Sequence, residues 1–332
     1  MRLESVEELK IMARAHASEL GLEQVTLGGP AAATDLESAM RGLSVSLGVA
    51  VTPRANDYLL ALRLRANTRR HRAFEEEVRK IAKNEVDVRY TGPVRAIGGC
   101  PGGPAVLVPL AIGASIGHED VAGGTVGFFA RRRSDGRVGL VSNNHVIANE
   151  DLGRRGDRIL HPSVCDGRDG SSRIVARLTG NYPRLGTRFR NVDCAFALLE
   201  NGVPFDASLL DDGSRLRRET AGATDNMPVF KIGRTTRRTA GRIRAFNFDR
   251  VEVKRYRFGF PVVFRGQIEI ESATNQTFSD PGDSGSIVFD SANRPVGLLF
   301  AETAAGGAGN LGLQYANPID AVLNELRVDI LA

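Results

Sequence analysis

Between residues 125 and 301 the chain is a succession of short apolar runs cut by Gly, Asp and Asn. They are 125-TVGFFAR-131, 138-VGLVS-142, 158-RILHP-162, 173-RIVARLT-179, 192-VDCAFALL-199, 228-PVFKIG-233, 241-GRIRAF-246, 261-PVVFRGQIEI-270, 286-SIVF-289 and 295-PVGLLFA-301. Each run is of strand length, and helical periodicity is missing between them. A chain of this texture buries its apolar side chains between many short strands joined by tight turns, as antiparallel barrels or sandwiches do. The 37 glycines and the lack of Trp fit that reading.

The first hundred residues read differently. Residues 4 to 20 place Val6, Leu9, Met12, Ala13 and Leu20 near helical spacing, and a Gly/Pro/Ala stretch follows at 28–33. Residues 58 to 64 read as a strand, 70 to 84 as a helix and 86 to 90 as a strand, a small βαβ-like unit. The texture changes at Thr91-Gly92-Pro93. The tail, 317-NPIDAVLNELRVDI-330, has an Asn/Pro start and helical spacing, and is expected to be a closing helix. The expected organisation is a small α/β domain over 1–95, with a regulatory, docking or oligomerisation role, followed by a mainly β domain over 96–332.

Charge narrows the partners. The net charge of +5 is dispersed. The clusters Arg131-Arg132-Arg133 and Arg237-Arg238 are short and carry no interleaved aromatics, so no nucleic-acid partner is expected. The start, MRLESVEELK, is acidic and has no apolar core of a secretory signal. The apolar run 105–116 is broken by Pro109 and Gly113 and is too short to span a bilayer. The expectation is a soluble, cytoplasmic protein with no membrane contact. Cys100, Cys165 and Cys194 cannot all pair with one another and are not spaced as metal ligands; no metal and no cofactor are expected.

Chemistry concentrates in 278-FSDPGDSGSIVF-289, a polar turn running into an apolar strand. The turn residues have ordinary backbone reasons to be there, yet the turn also presents Ser284 at a strand start. Serine becomes a nucleophile only with a base, an orienting partner for the base, and donors for the oxyanion. Of the five histidines, His16 and His71 fall on the expected helices among charged residues and read as solvated; His118 and His161 fall in a loop and before Pro162. His145 stands apart, at the end of the apolar strand in 139-GLVSNNHVIAN-149. Asp193 interrupts the apolar run 192-VDCAFALL-199, where a charge is costly unless it is bonded. His145, Asp193 and Ser284 thus form the candidate catalytic set.

From about residue 120 to 332 the sequence resembles trypsin-like (chymotrypsin-fold) serine peptidases. The motifs that carry the likeness are S-N-N-H-V around His145, V-D-C-A around Asp193 and P-G-D-S-G-S around Ser284, with 296-VGLLFAE-302 following. The segment 231-KIGRTTRRTAGRI-243 is similar to one in bacterial intracellular and plant narrow-leaf-type members. The resemblance implies two antiparallel six-stranded β-barrels with the site in the cleft between them. It implies Ser284 as nucleophile, His145 as general base then acid, Asp193 as its orienting group, and an oxyanion hole from the N–H groups of Gly282 and Ser284. The substrate would be a protein or peptide, with a homo-oligomer or a dedicated partner substrate as further expectations. The alternative is a catalytically silent module of the same fold, kept for binding or scaffolding.

The sequence also departs from the digestive relatives. Phe278 stands where their specificity aspartate lies, leaving Asp280 and Glu302 as candidate acidic groups of the specificity pocket. Their zymogen switch pairs a new N-terminus with the Asp before the serine, here Asp283, and no activation site is evident. Secreted relatives lean on disulfides, whereas these three cysteines suggest none.

Overall fold

In the computed structural model, which describes residues 1–19, 45–98, 108–167, 170–185, 191–254 and 261–332, the N-terminal region is a helix-covered sheet. Helix α1 (Leu3–Glu19) and helix α2 (Arg69–Ile81) pack on β1 (Val45–Val51), β2 (Tyr58–Leu64) and β3 (Val86–Tyr90). β1 and β2 form an antiparallel hairpin; β2 and β3 are parallel. A parallel pair requires a crossover, and α2 supplies it. Thr68 caps α2 by accepting from the His71 N–H, while Arg79 and Lys80 sit in its last turn, favourable for the helix dipole. His71 is buried beside Phe74 and Val78, so the expectation of a solvated His71 is corrected. Residues 71, 74 and 78 share one helical face, and that face meets the sheet. β4 (Val94–Ala96) follows.

The next strands are β5 (Ser115–His118), β6 (Gly124–Thr125), β7 (Phe128–Arg132), β8 (Val138–Ser142), β9 (Arg158–His161), β10 (Arg173–Leu178) and β11 (Ala195–Leu199). They pair antiparallel in the order β7-β8-β11-β10-β9-β5-β6, a sheet that curls around its own core. The single-turn helix α3 (Asn144–Ile147) leaves the end of β8.

The last set is β12 (Pro228–Gly233), β13 (Arg237–Phe248), β14 (Val251–Lys254), β15 (Pro261–Phe264), β16 (Gln267–Ser272), β17 (Ile287–Asp290), β18 (Pro295–Thr303) and β19 (Gln314–Pro318). Six of these close on themselves, β12-β13-β16-β19-β18-β17-β12, every pair antiparallel. Closure removes the open edges that strands this apolar would otherwise expose. Ile243, Ile268, Ile270, Val288, Val296 and Leu299 fill the interior.

The C-terminal helix α4 (Ile319–Leu326) packs into the core of the first curled sheet. It is shorter than expected: Arg327 adopts the left-handed conformation (φ 54°), ends the helix, and lets β20 (Val328–Ile330) pair with β7. The mainly β architecture with a C-terminal helix is therefore the one expected from the sequence.

The N-terminal strands continue the second barrel's sheet. β1 pairs with β13 at Val49↔Phe246 and Ala50↔Ala245, and β4 pairs with β18. Regions 1–95 and 96–332 thus share one twelve-stranded sheet. Behind β1, the fully buried Arg63 makes a bidentate pair with Glu269, Nε–Oε2 2.8 Å and Nη2–Oε1 2.7 Å, and reaches Asp87 at 2.8 Å.

Cys165 is disulfide-bonded, which corrects the expectation that the cysteines form no disulfide. Sequence spacing constrains metal sites well, but pairing across a fold is invisible to it. Cys194 is a free, buried thiol whose pKa burial pushes up. The 28–33 stretch and Cys100 lie outside the described residues. No helix among the described residues is long and apolar enough to cross a membrane.

Candidate active site

Three elements bring the site together. β8 ends at Ser142 and α3 turns His145 back toward the start of β11, where Asp193 lies just ahead of the strand. From the other barrel comes the turn before β17, which carries Ser284. His145 Nδ1 lies 2.6 Å from Asp193 Oδ2, and His145 Nε2 lies 2.8 Å from Ser284 Oγ. A carboxylate only accepts, so Nδ1 carries the proton and donates to Asp193, leaving Nε2 to accept from the Ser284 hydroxyl. All three residues are buried, at 6%, 3% and 0% relative exposure.

Asp193 is buried but not unsatisfied. Its Oδ1 accepts from the N–H groups of Asn144 (2.7 Å) and His145 (3.3 Å), at the start of α3. Its own backbone is held as well: its N–H donates to Asn317 Oδ1 (3.1 Å), and its C=O accepts from Asn143 Nδ2 (2.7 Å). The lone carboxylate in an apolar run is thus fixed from both sides, which fixes the imidazole that it faces.

The Ser284 turn is shaped by two glycines. Gly282 has φ +103° and Gly285 φ +90°, a region that side chains disfavour. A Cβ on Gly282 would stand 2.6 Å from Arg234 Nε and 2.6 Å from Thr235 Oγ1; one on Gly285 would stand 2.1 Å from Ser142 Oγ. Asp283 N–H and Gly285 N–H are used internally, by Asp280 O and Leu299 O. The N–H groups of Gly282 and Ser284 have no acceptor among the described residues. Two unused donors flank the hydroxyl, the arrangement that stabilises a developing oxyanion.

Asp283 anchors this turn from below. Its Oδ2 lies 3.0 Å from Lys231 Nζ, with both side chains fully buried. Oδ1 accepts from Thr235 N–H (2.9 Å) and Thr236 N–H (3.2 Å), and Oδ2 from Thr236 Oγ1 (2.6 Å). Lys231 also donates to Arg237 O at 3.1 Å. Burial lowers the Lys231 pKa, and Asp283 opposes that shift. The cation that holds Asp283 is therefore a side chain within the barrel, where the sequence raised the question of a new N-terminus. Sequence reasoning passed over Lys231, although a lysine inside the apolar run 228-PVFKIG-233 is the same kind of signal as Asp193. It also passed over Asn317, for which the sequence offers no local signal.

The specificity residues fall in separate places. Phe278 is fully buried in the second barrel's apolar cluster, and its carbonyl accepts from Thr239 Oγ1. Glu302, on β18, accepts from Ser279 Oγ at 3.2 Å. Burial pushes the Glu302 carboxyl up to about 7, aided by Asp280 and Asp283. Asp280 Oδ1 accepts from Thr277 Oγ1 at 3.0 Å, and its backbone N–H donates to Asp283 Oδ2 at 3.1 Å. Among the described residues, no group of three His, Cys, Asp or Glu is arranged to hold a metal ion.

No family model and no curated protein matches the chain. Among solved structures it is similar to the chymotrypsin of Cellulomonas bogoriensis: 20% identity, TM-score 0.45, covering 67% of this chain and 98% of that one. It is similar to protease A of Thermobifida fusca, with 16% identity, TM-score 0.46 and coverage of 67% and 98%. It is also similar to a glutamic acid specific serine protease, with 20% identity, TM-score 0.46 and coverage of 67% and 100%.

Proposed function

We propose that the protein is a serine endopeptidase acting on protein or peptide substrates. The observation that carries this reading is the continuous relay Asp193–His145–Ser284, 2.6 and 2.8 Å between heavy atoms, beside two unused backbone donors. Ser284 Oγ attacks the scissile carbonyl as His145 Nε2 takes its proton. The oxyanion lies against the N–H groups of Gly282 and Ser284. His145 then protonates the departing amine, leaving an acyl group on Ser284. Water, deprotonated by the same imidazole, releases the acid and restores the hydroxyl. Asp193 holds the tautomer and stabilises the imidazolium; each oxyanion donor contributes about 3 kcal/mol to the transition state.

Because Asp283 is neutralised by Lys231 within the chain, the donors are set without a new N-terminus. The 1–95 region is proposed as a regulatory rather than catalytic part. The cytoplasmic expectation sits poorly with a disulfide at Cys165, since such bonds persist mainly in oxidising compartments.

A fluorophosphonate probe tests the reading. Mass mapping should find the adduct on Ser284. Ser284→Ala should take none, and His145→Ala and Asp193→Asn should label slower by about a thousandfold or more. An adduct that survives in Ser284→Ala would contradict it.

A further inference from the structure

β18 runs past the nucleophile turn. Its Leu299 exchanges two hydrogen bonds with that turn: Gly285 N–H donates to Leu299 O (2.9 Å), and Leu299 N–H donates to Ser286 O (3.0 Å). β17 accompanies β18 only as far as Leu298. Beyond that point the same edge of β18 is open to any extended segment that adds to it as a strand.

The chain lays its own residues there. β4 pairs antiparallel with β18 at Ala96↔Ala301, Arg95↔Glu302 and Val94↔Thr303, and Ile97 N–H donates to Phe300 O at 3.2 Å. Residue 98 would next stand opposite Leu299, whose carbonyl Gly285 already uses. Gly98 instead turns its N–H back onto Ala96 O at 3.0 Å, and the pairing with β18 ends. The bond after Ile97 is thus the one that the register carries to the Ser284 turn. Ile97 is fully buried in the cluster that holds Phe278; Ala96 packs with Phe300 and Ala301; Arg95 is exposed, directly across from Glu302. The other edge of β4 is held by β14, at Val94↔Val253 and Arg95↔Lys254. Ser284 has 0% relative exposure, as a covered nucleophile must.

We propose that Val94–Ile97 is a built-in inhibitory strap lying in the register of a substrate. The cleft it fills takes peptides with an aliphatic residue before the scissile bond, a small residue ahead of that and a basic residue ahead of both. The proposal rests on Ser284 being the nucleophile. It moves the acidic contact of Glu302 to the third residue before the bond, two residues upstream of Ile97, and leaves the pocket at the bond itself apolar.

Two measurements on the full chain test it, on wild type, Ile97→Pro and Arg95→Glu, each with native circular dichroism. The first is the fluorophosphonate labelling rate of Ser284. The second is binding of fluorescein-labelled Val-Arg-Ala-Ile, and of the same peptide ending in Lys, to the Ser284→Ala forms. Removing the Ile97 N–H should raise labelling by about tenfold or more and admit the Ile peptide, which wild type excludes. Measured at about pH 8.5, where the Glu302 carboxyl is ionised, Arg95→Glu sets like charges opposite one another and should raise labelling by about two- to fivefold. It carries the test alone if Ile97→Pro fails to fold. The Lys peptide should bind about tenfold more weakly. Equal labelling and equal binding in all three proteins would overturn the strap, and equal binding of the two peptides would overturn the aliphatic preference. Peptide binding to the released protein without labelling of any form would keep the strap and overturn Ser284 as nucleophile.

Discussion

The N-terminal region meets the second barrel twice, each time by pairing with the part of a barrel strand that its barrel neighbour leaves free, and the two contacts are built differently. At β13 the contact of β1 is backed by Arg63, fully buried, whose guanidinium grips Glu269 bidentately and reaches Asp87. At β18 the contact of β4 is a three-residue strand whose one charged side chain, Arg95, faces solvent opposite Glu302. The first is an anchor: removing it strands a charge in the interior. The second is a latch held by backbone bonds and two apolar side chains, placed where the Ser284 turn begins. One sheet thus carries a fixed joint and a releasable one, and only the releasable one touches the cleft.

The largest expected effect breaks the anchor. Arg63→Ala leaves Glu269 buried and uncompensated and should cost about 3–5 kcal/mol of unfolding free energy, read by urea denaturation. Replacing both partners by apolar residues, Arg63→Met with Glu269→Leu, should recover much of that loss. If the single variant costs less than about 1 kcal/mol, the anchor reading is wrong.

A smaller effect sharpens the latch. The Glu302 carboxyl titrates near 7, against an ordinary value of 4.5, because burial, and then Asp280 and Asp283, disfavour its charge; Ser279 and Arg95 work in the opposite sense. A group whose folded pKa is raised binds its proton more tightly in the fold. Its contribution is complete below about 4.5 and is lost as pH rises through about 7. Stability should therefore fall over that window, and Glu302→Gln should flatten this component of the profile. An unchanged slope in Glu302→Gln would assign it to another group.

Much of this was legible in the sequence, and the rest was hidden for physical reasons. Strand-length runs and turn glycines announced an antiparallel β protein. Ser284, His145 and Asp193 stood out because each breaks its local context: a hydroxyl at a turn, an imidazole at a strand end, a carboxylate in an apolar run. What escaped depends on pairing between distant segments. β4 is only V-R-A after Gly92-Pro93, too short to show a period, and its meaning comes from lying beside residues 301–303. Asn317 reads as a helix start, yet sits in β19 and holds the backbone of Asp193. The disulfide at Cys165 is hidden from the sequence because a cysteine count says little about which sulfurs meet. His71 reads as solvated from its charged neighbours in sequence, whereas its neighbours on the helix face, Phe74 and Val78, are apolar and buried.

The most direct test of the central claim is acyl transfer itself. Ile97→Pro protein, mixed with a 4-nitrophenyl ester of an aliphatic N-acyl amino acid, should release a burst of about one nitrophenolate per chain and carry the acyl group on Ser284 by peptide mass mapping. No burst, or an acyl group on any other residue, would contradict the account.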